Sequence, residues 1–137
     1  MSDFRPRLKE IRDGLLILHK SLLDIERAAY ERDVARITST GHYLDLVLND
    51  PWFQWLRQLS EFIVLIDESM ARKEPRITPE ESAALIAKSR TLLVPSEEGT
   101  GFARRYFEIL QRDPDAVLAH RDMLKVLGEG AQPGPAR

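Results

Sequence analysis

Cysteine is absent from all 137 residues, which excludes disulfides, thiolate zinc sites and cysteine nucleophiles. Histidine occurs three times, at His19, His42 and His120. These fall on separate predicted segments, so spacing supports no serine–histidine–aspartate arrangement and identifies no catalytic residue. Charge of one sign is also scarce. The formal net charge is −2, and acids and bases are mixed along every segment. No basic face of the kind that grips phosphate backbones is evident, so nucleic acid is not an expected partner. No apolar run approaches the ~20 residues that span a bilayer, and no basic n-region with an apolar stretch behind it opens the chain. A cytoplasmic location without membrane contact is the expectation.

What is present suits a globular core. Hydrophobic residues make up 43% and charged residues 31%. A single domain of this size buries roughly two-thirds of the surface its unfolded chain exposes, so it needs no metal or disulfide merely to fold, and no cofactor is expected. The expected organisation is one helical domain over residues 1–128. Residues 129–137, rich in glycine and proline and lacking apolar periodicity, are expected to form a disordered tail.

Helical periodicity runs through nearly the whole chain. Leu8, Ile11, Leu15, Leu18, Leu22, Ile25 and Ala29 recur at alternating spacings of three and four, the seam of a helix packed against partners. This predicts a first helix over 6–36, capped by Ser2 or Asp3, with Gly14 a local weakness of about 1 kcal/mol relative to alanine. A short helical piece is expected at 42–48, with His42 as a turn residue.

Asp50-Pro51 is a cap followed by a residue suited to the first helical position. It opens a second long helix over 51–72, with Trp52, Leu56, Leu59, Ile63, Ile66 and Met70 inward. Thr78-Pro79-Glu80-Glu81 reads as a capping box. Ser82 and Ser89 on that helix would let a neighbour approach closely. After a loop at 95–101, a short helix precedes Asp113-Pro114, which opens the last one, and Gly128 is placed to close it. The expected fold is all-α, an antiparallel up-and-down bundle of four to five helices.

Polar residues on apolar faces are the functional clue. Arg12, His19, Glu26 and Asp33 form one column inside the wide stripe of the first helix. Asp67 and Ser60 fall in the apolar arc of the second long helix, while Arg57, Glu61 and Glu68 fall outside it. His120 and Arg121 fall in the arc of the last helix.

Buried ionisable groups need partners or a ligand. Two readings of His19, Glu26, Asp67, His120 and Arg121 follow: a structural polar network, or a ligand site, with a single metal conceivable on His19, Glu26, Asp67 and His120. The Glu-x-x-His pairs of di-iron bundles are missing. Trp52, Phe53 and Trp55 cannot all face one way, so at least one ring is expected at the surface as a candidate interface. The segment around Gly99-Thr100-Gly101 is most simply a loop, since it follows no strand and has no phosphate-loop lysine.

The stretches His19-Lys20-Ser21-Leu22-Leu23-Asp24-Ile25-Glu26-Arg27 and Asp50-Pro51-Trp52-Phe53-Gln54-Trp55-Leu56-Arg57, followed by Ser60-Glu61, resemble a family of small uncharacterised bacterial all-helical proteins. The resemblance covers most of residues 5–127. It implies a bacterial source and a helical fold, and it carries no activity and no site residue. The leading expectation is therefore a protein-interaction or structural module, homodimeric or bound to another protein, with a ligand- or metal-binding helical domain as the alternative.

Overall fold

The computed structural model describes residues 4–128, and within them the fold is all-α. Seven helices form, where four to five were expected: α1 (Arg5–Asp33), α2 (Thr40–Asn49), α3 (Pro51–Gln54), α4 (Arg57–Ala71), α5 (Pro79–Leu92), α6 (Gly101–Arg112) and α7 (Pro114–Leu127). An isolated bridge between Lys73 and Arg76 is the single β-type pairing among the described residues. No described helix is long and apolar enough to cross a membrane.

The helix starts follow the capping chemistry. Asp50 accepts from the Trp52 amide at 2.8 Å, and Asp113 accepts from those of Asp115 and Ala116 at 2.8 and 3.2 Å. Thr78 and Glu81 form the reciprocal capping box. Gly128 closes α7 in the left-handed conformation, as glycine does at low cost. Ser2, Asp3 and the 129–137 tail lie outside the described residues.

The expected helix over 51–72 is broken. Trp55 and Leu56 form a turn between α3 and α4. There the amides of Leu56 and Leu59 reach back three residues, to Phe53 and Leu56, at 3.1 Å each, the tightened geometry of a 3₁₀ turn. The break rotates the start of the segment relative to the rest, so Trp52 and Trp55 both turn toward α1. His42 is helical rather than a turn residue, and its Nδ1 accepts from the Thr38 amide at 3.1 Å.

α1 is the central element, packed against α3, α4, α5 and α7. Arg5 donates to the Met70 carbonyl and Arg12 to Asp67, so α4 runs antiparallel to α1. Arg7 donates to the Val126 carbonyl at 2.7 Å, while the start of α7 lies beside Ala28 and Arg32, so α7 is antiparallel too. The main core joins Leu8, Ile11, Leu15, Leu18 and Leu22 to residues of α4, α6 and α7. A second core gathers Tyr30, Ile37, Leu46 and Phe53, with Leu23 packed against both. Ser82 and Ser89 are buried as expected. Gly14 proves to be a contact point rather than a mere weakness: a Cβ there would lie 2.8 Å from Met123 Sδ.

Candidate functional site

The polar column of α1 does not act as a unit. Arg12 makes a two-pronged ion pair with Asp67, Nε to Oδ1 at 2.7 Å and a terminal nitrogen to Oδ2 at 3.0 Å. Asp33 pairs with its neighbour Arg32 at the exposed end of the helix. Glu26 enters the interior, and His19 lines a pocket. Because the Arg12–Asp67 pair is partly solvated, its coupling in a double-mutant cycle of Arg12→Met and Asp67→Asn, measured by urea denaturation, is expected at about 0.5–1 kcal/mol, falling with added salt.

Glu26 is 1% exposed, and both tryptophans serve it. Trp55 Nε1 donates to Glu26 Oε2 at 2.6 Å, and Trp52 Nε1 donates to the Glu26 main-chain carbonyl at 3.1 Å. Arg112 approaches Oε1 at 3.8 Å from the surface. Burial pushes this carboxyl above the usual carboxylate range, while the Trp55 bond and the charges of Arg112 and Arg105 pull it back; Asp113 adds to the rise. Such a group costs less when its oxygens are bonded, and the indole N–H supplies that bond without a second buried charge.

Phe53 is fully buried and the two indoles are half-buried. Trp52 meets Tyr30 edge-on at 5.7 Å, and Trp55 lies 5.5 Å from Phe102. The three rings expected as a candidate interface each pack against neighbours within the chain, and both indole N–H groups turn to α1.

Phe102 stacks on Tyr106 at 5.1 Å, and Tyr106 meets His120 edge-on at 5.2 Å. Tyr106 Oη and His120 Nδ1 are hydrogen-bonded at 2.6 Å, and burial raises the phenol pKa, keeping it protonated. Arg121, expected inward, is exposed and pairs with Asp122 at 3.4 Å.

His19, Glu26, Asp67, His120 and Arg121 are therefore distributed among separate environments. No group of three or more His, Asp or Glu side chains placed to hold a metal ion forms among the described residues. The physical reason is that three of the five meet a nearer partner across the interface they face: Asp67 meets Arg12, Glu26 meets Trp55 and His120 meets Tyr106.

His19 differs from the others. Among the described residues no hydrogen bond reaches its ring nitrogens. It lines a pocket of about 230 Å³ with Leu23 of α1, Val47 and Leu48 of α2, Phe53 of α3, Leu56 of the turn, and Arg57 and Ser60 of α4. Burial pushes the imidazole below its ordinary pKa, so the ring is neutral at pH 7 with one nitrogen donating and one accepting. The Ser60 hydroxyl donates to the Arg57 carbonyl at 3.0 Å, which leaves its oxygen as an acceptor. Arg57 donates to the Leu48 carbonyl at 2.8 Å and has no carboxylate partner among the described residues.

Sequence reasoning placed Arg57 outside the apolar arc. The helical wheel could not find it, because its place at the pocket depends on where the end of α2 sits beside the start of α4. Leu44 and Leu48 of α2 are 55% and 59% exposed, and Leu16 and Val64 are exposed on the α1 and α4 faces that carry His19 and Ser60. A larger cleft, about 360 Å³, lies between α1 and the α6–α7 junction, where Asp24, Asp113 and Asp115 oppose Arg32 and Arg112.

No family model, curated protein or solved structure matches the chain. The resemblance carried by residues 19–27 and 50–61 thus identifies no known family, and no residue role comes from it.

Proposed function

We propose that the protein is a cytoplasmic binding module that receives an apolar group in the pocket lined by His19. The carrying observation is that pocket's make-up: an apolar lining of Leu23, Val47, Phe53 and Leu56, with a neutral histidine whose ring has no hydrogen-bond partner among the described residues. Apolar concavities with a few converging polar groups are the usual form of small-ligand sites. The volume is below the roughly 300–1,000 Å³ of sites that enclose drug-sized molecules, so the occupant is fragment-sized.

The test is saturation-transfer NMR with 1-octanol. Wild-type protein is expected to bind it in the millimolar range or tighter. Ser60→Phe, which fills the pocket from α4, is expected to weaken binding at least tenfold while leaving the circular dichroism spectrum unchanged. No transfer to the wild type, or equal transfer to the folded variant, overturns the reading.

A second reading, docking of a partner protein or a second copy, is supported by the exposed Leu44, Leu48, Leu16 and Val64. Sedimentation velocity across concentrations is expected to show association that Leu48→Glu abolishes. A strict monomer at all concentrations removes the self-association form of this reading.

A further inference from the structure

Building on the pocket reading above, we infer that the group held beside His19 belongs to a small monocarboxylic acid, whose carboxylate pairs with Arg57 at the mouth while its apolar body rests on Leu23, Val47 and Phe53. Charge and free donors both favour a carboxylate in this pocket. The pocket has no acidic residue in its lining, and its one permanent charge is the Arg57 guanidinium. A single N–H of that group is engaged, by the Leu48 carbonyl at 2.8 Å. An arginine carries five donors in a rigid fork that matches a carboxylate edge. The Leu48 bond fixes one arm of the fork across the gap between α2 and α4, so less freedom is lost when the rest is engaged.

The other polar groups sort the same way. Ser60 already donates within its own helix, so it offers no competing donor. The neutral imidazole of His19 presents one N–H, which a carboxylate accepts directly; an ammonium head would meet the imidazole's acceptor nitrogen but also the Arg57 charge. An alcohol of equal length would bury the same apolar area and forgo the ion pair. The larger cleft by α6 and α7 lacks this bias, since three aspartates there outnumber two arginines. Near Arg5 and Lys9 the basic surface is also compensated, with Lys9 held by Asp13 at 2.8 Å.

Octanoate, 1-octanol and octylammonium, titrated in parallel on wild-type protein and Arg57→Gln, separate this inference from the one beneath it. Octanoate is expected to bind wild type at least tenfold more tightly than 1-octanol, with octylammonium weaker than both. In Arg57→Gln the ratio of octanoate affinity to 1-octanol affinity is expected to fall from at least ten to about one. If 1-octanol binds wild type as well as octanoate does, or if the substitution weakens both equally, the carboxylate assignment is wrong and the pocket reading stands. If none of the three binds, the pocket reading itself has failed. Circular dichroism of the variant confirms that a lost affinity is not lost folding; Arg57 is exposed, so the helix is expected to remain intact.

Discussion

Trp55→Phe is expected to lower the unfolding free energy by about 2–4 kcal/mol at pH 8, because it keeps most of the ring and removes the N–H that bonds the interior carboxylate of Glu26. The loss depends on pH in a defined sense. The folded pKa of Glu26 lies above its unfolded value near 4.5, so the native state binds the proton more tightly. The stabilising contribution of this group is therefore complete below about pH 4.5 and is lost as pH rises through the folded pKa.

Removing the indole donor raises that pKa further, so the penalty of Trp55→Phe is expected to be largest on the alkaline side and to shrink where the carboxyl is protonated. Glu26→Gln should abolish this pH dependence. His19 contributes the opposite slope at higher pH: its folded pKa is depressed, so stability falls as pH drops below about 6.5, and that slope should persist in Glu26→Gln. The double variant Trp55→Phe/Glu26→Leu replaces both partners with apolar groups and should recover most of the loss. Urea denaturation followed by circular dichroism between pH 4 and 9 measures all of these. A Trp55→Phe cost that does not change with pH would show that the bond does not support a charged Glu26.

Gly14→Leu should destabilise the fold by about 2–3 kcal/mol, the scale of forcing extra atoms into a packed contact. The site has no room: an added Cβ would lie 2.8 and 3.2 Å from Met123 Sδ and Cε and 3.3 Å from Val126 Cγ1. Gly14→Ala is a different case. Its gain of about 1 kcal/mol in helix propensity opposes the shift of a flexible methionine end, so little net change is expected in the thermal midpoint. The diagnostic is Gly14→Leu/Met123→Ala, which opens space on α7 and should regain at least half the loss. Failure to regain any would mean that the glycine is needed for something other than the approach of α7.

Much of the fold was legible because it is written in local chemistry. Asp50-Pro51, Thr78-Pro79-Glu80-Glu81, Asp113-Pro114 and Gly128 each satisfy orphan groups within a turn of the chain, so their function depends on nothing distant. The Trp55–Leu56 break was not legible. Trp52, Leu56, Leu59 and Ile63 keep helical spacing across it, and the turn between them follows from the match of two indoles to Glu26 on another helix. The polar column of α1 was visible as a column, and Glu26 and His19 do face inward or half-inward. Its supposed convergence was not: helical periodicity fixes which face a side chain occupies but not which neighbour meets it.

The sequence by itself determined the all-α class, the main helix starts and the inward stripe of α1, because periodicity and capping operate over three or four residues. Only the tertiary structure decided that Asp67 goes to Arg12, that both tryptophans go to Glu26, and that His19 and Arg57 share a pocket. Those pairings span gaps of 26 to 55 residues, or depend on where the end of α2 sits beside the start of α4, and the axial register of packed helices is set by side-chain fit across the interface, which leaves no periodic trace in the chain.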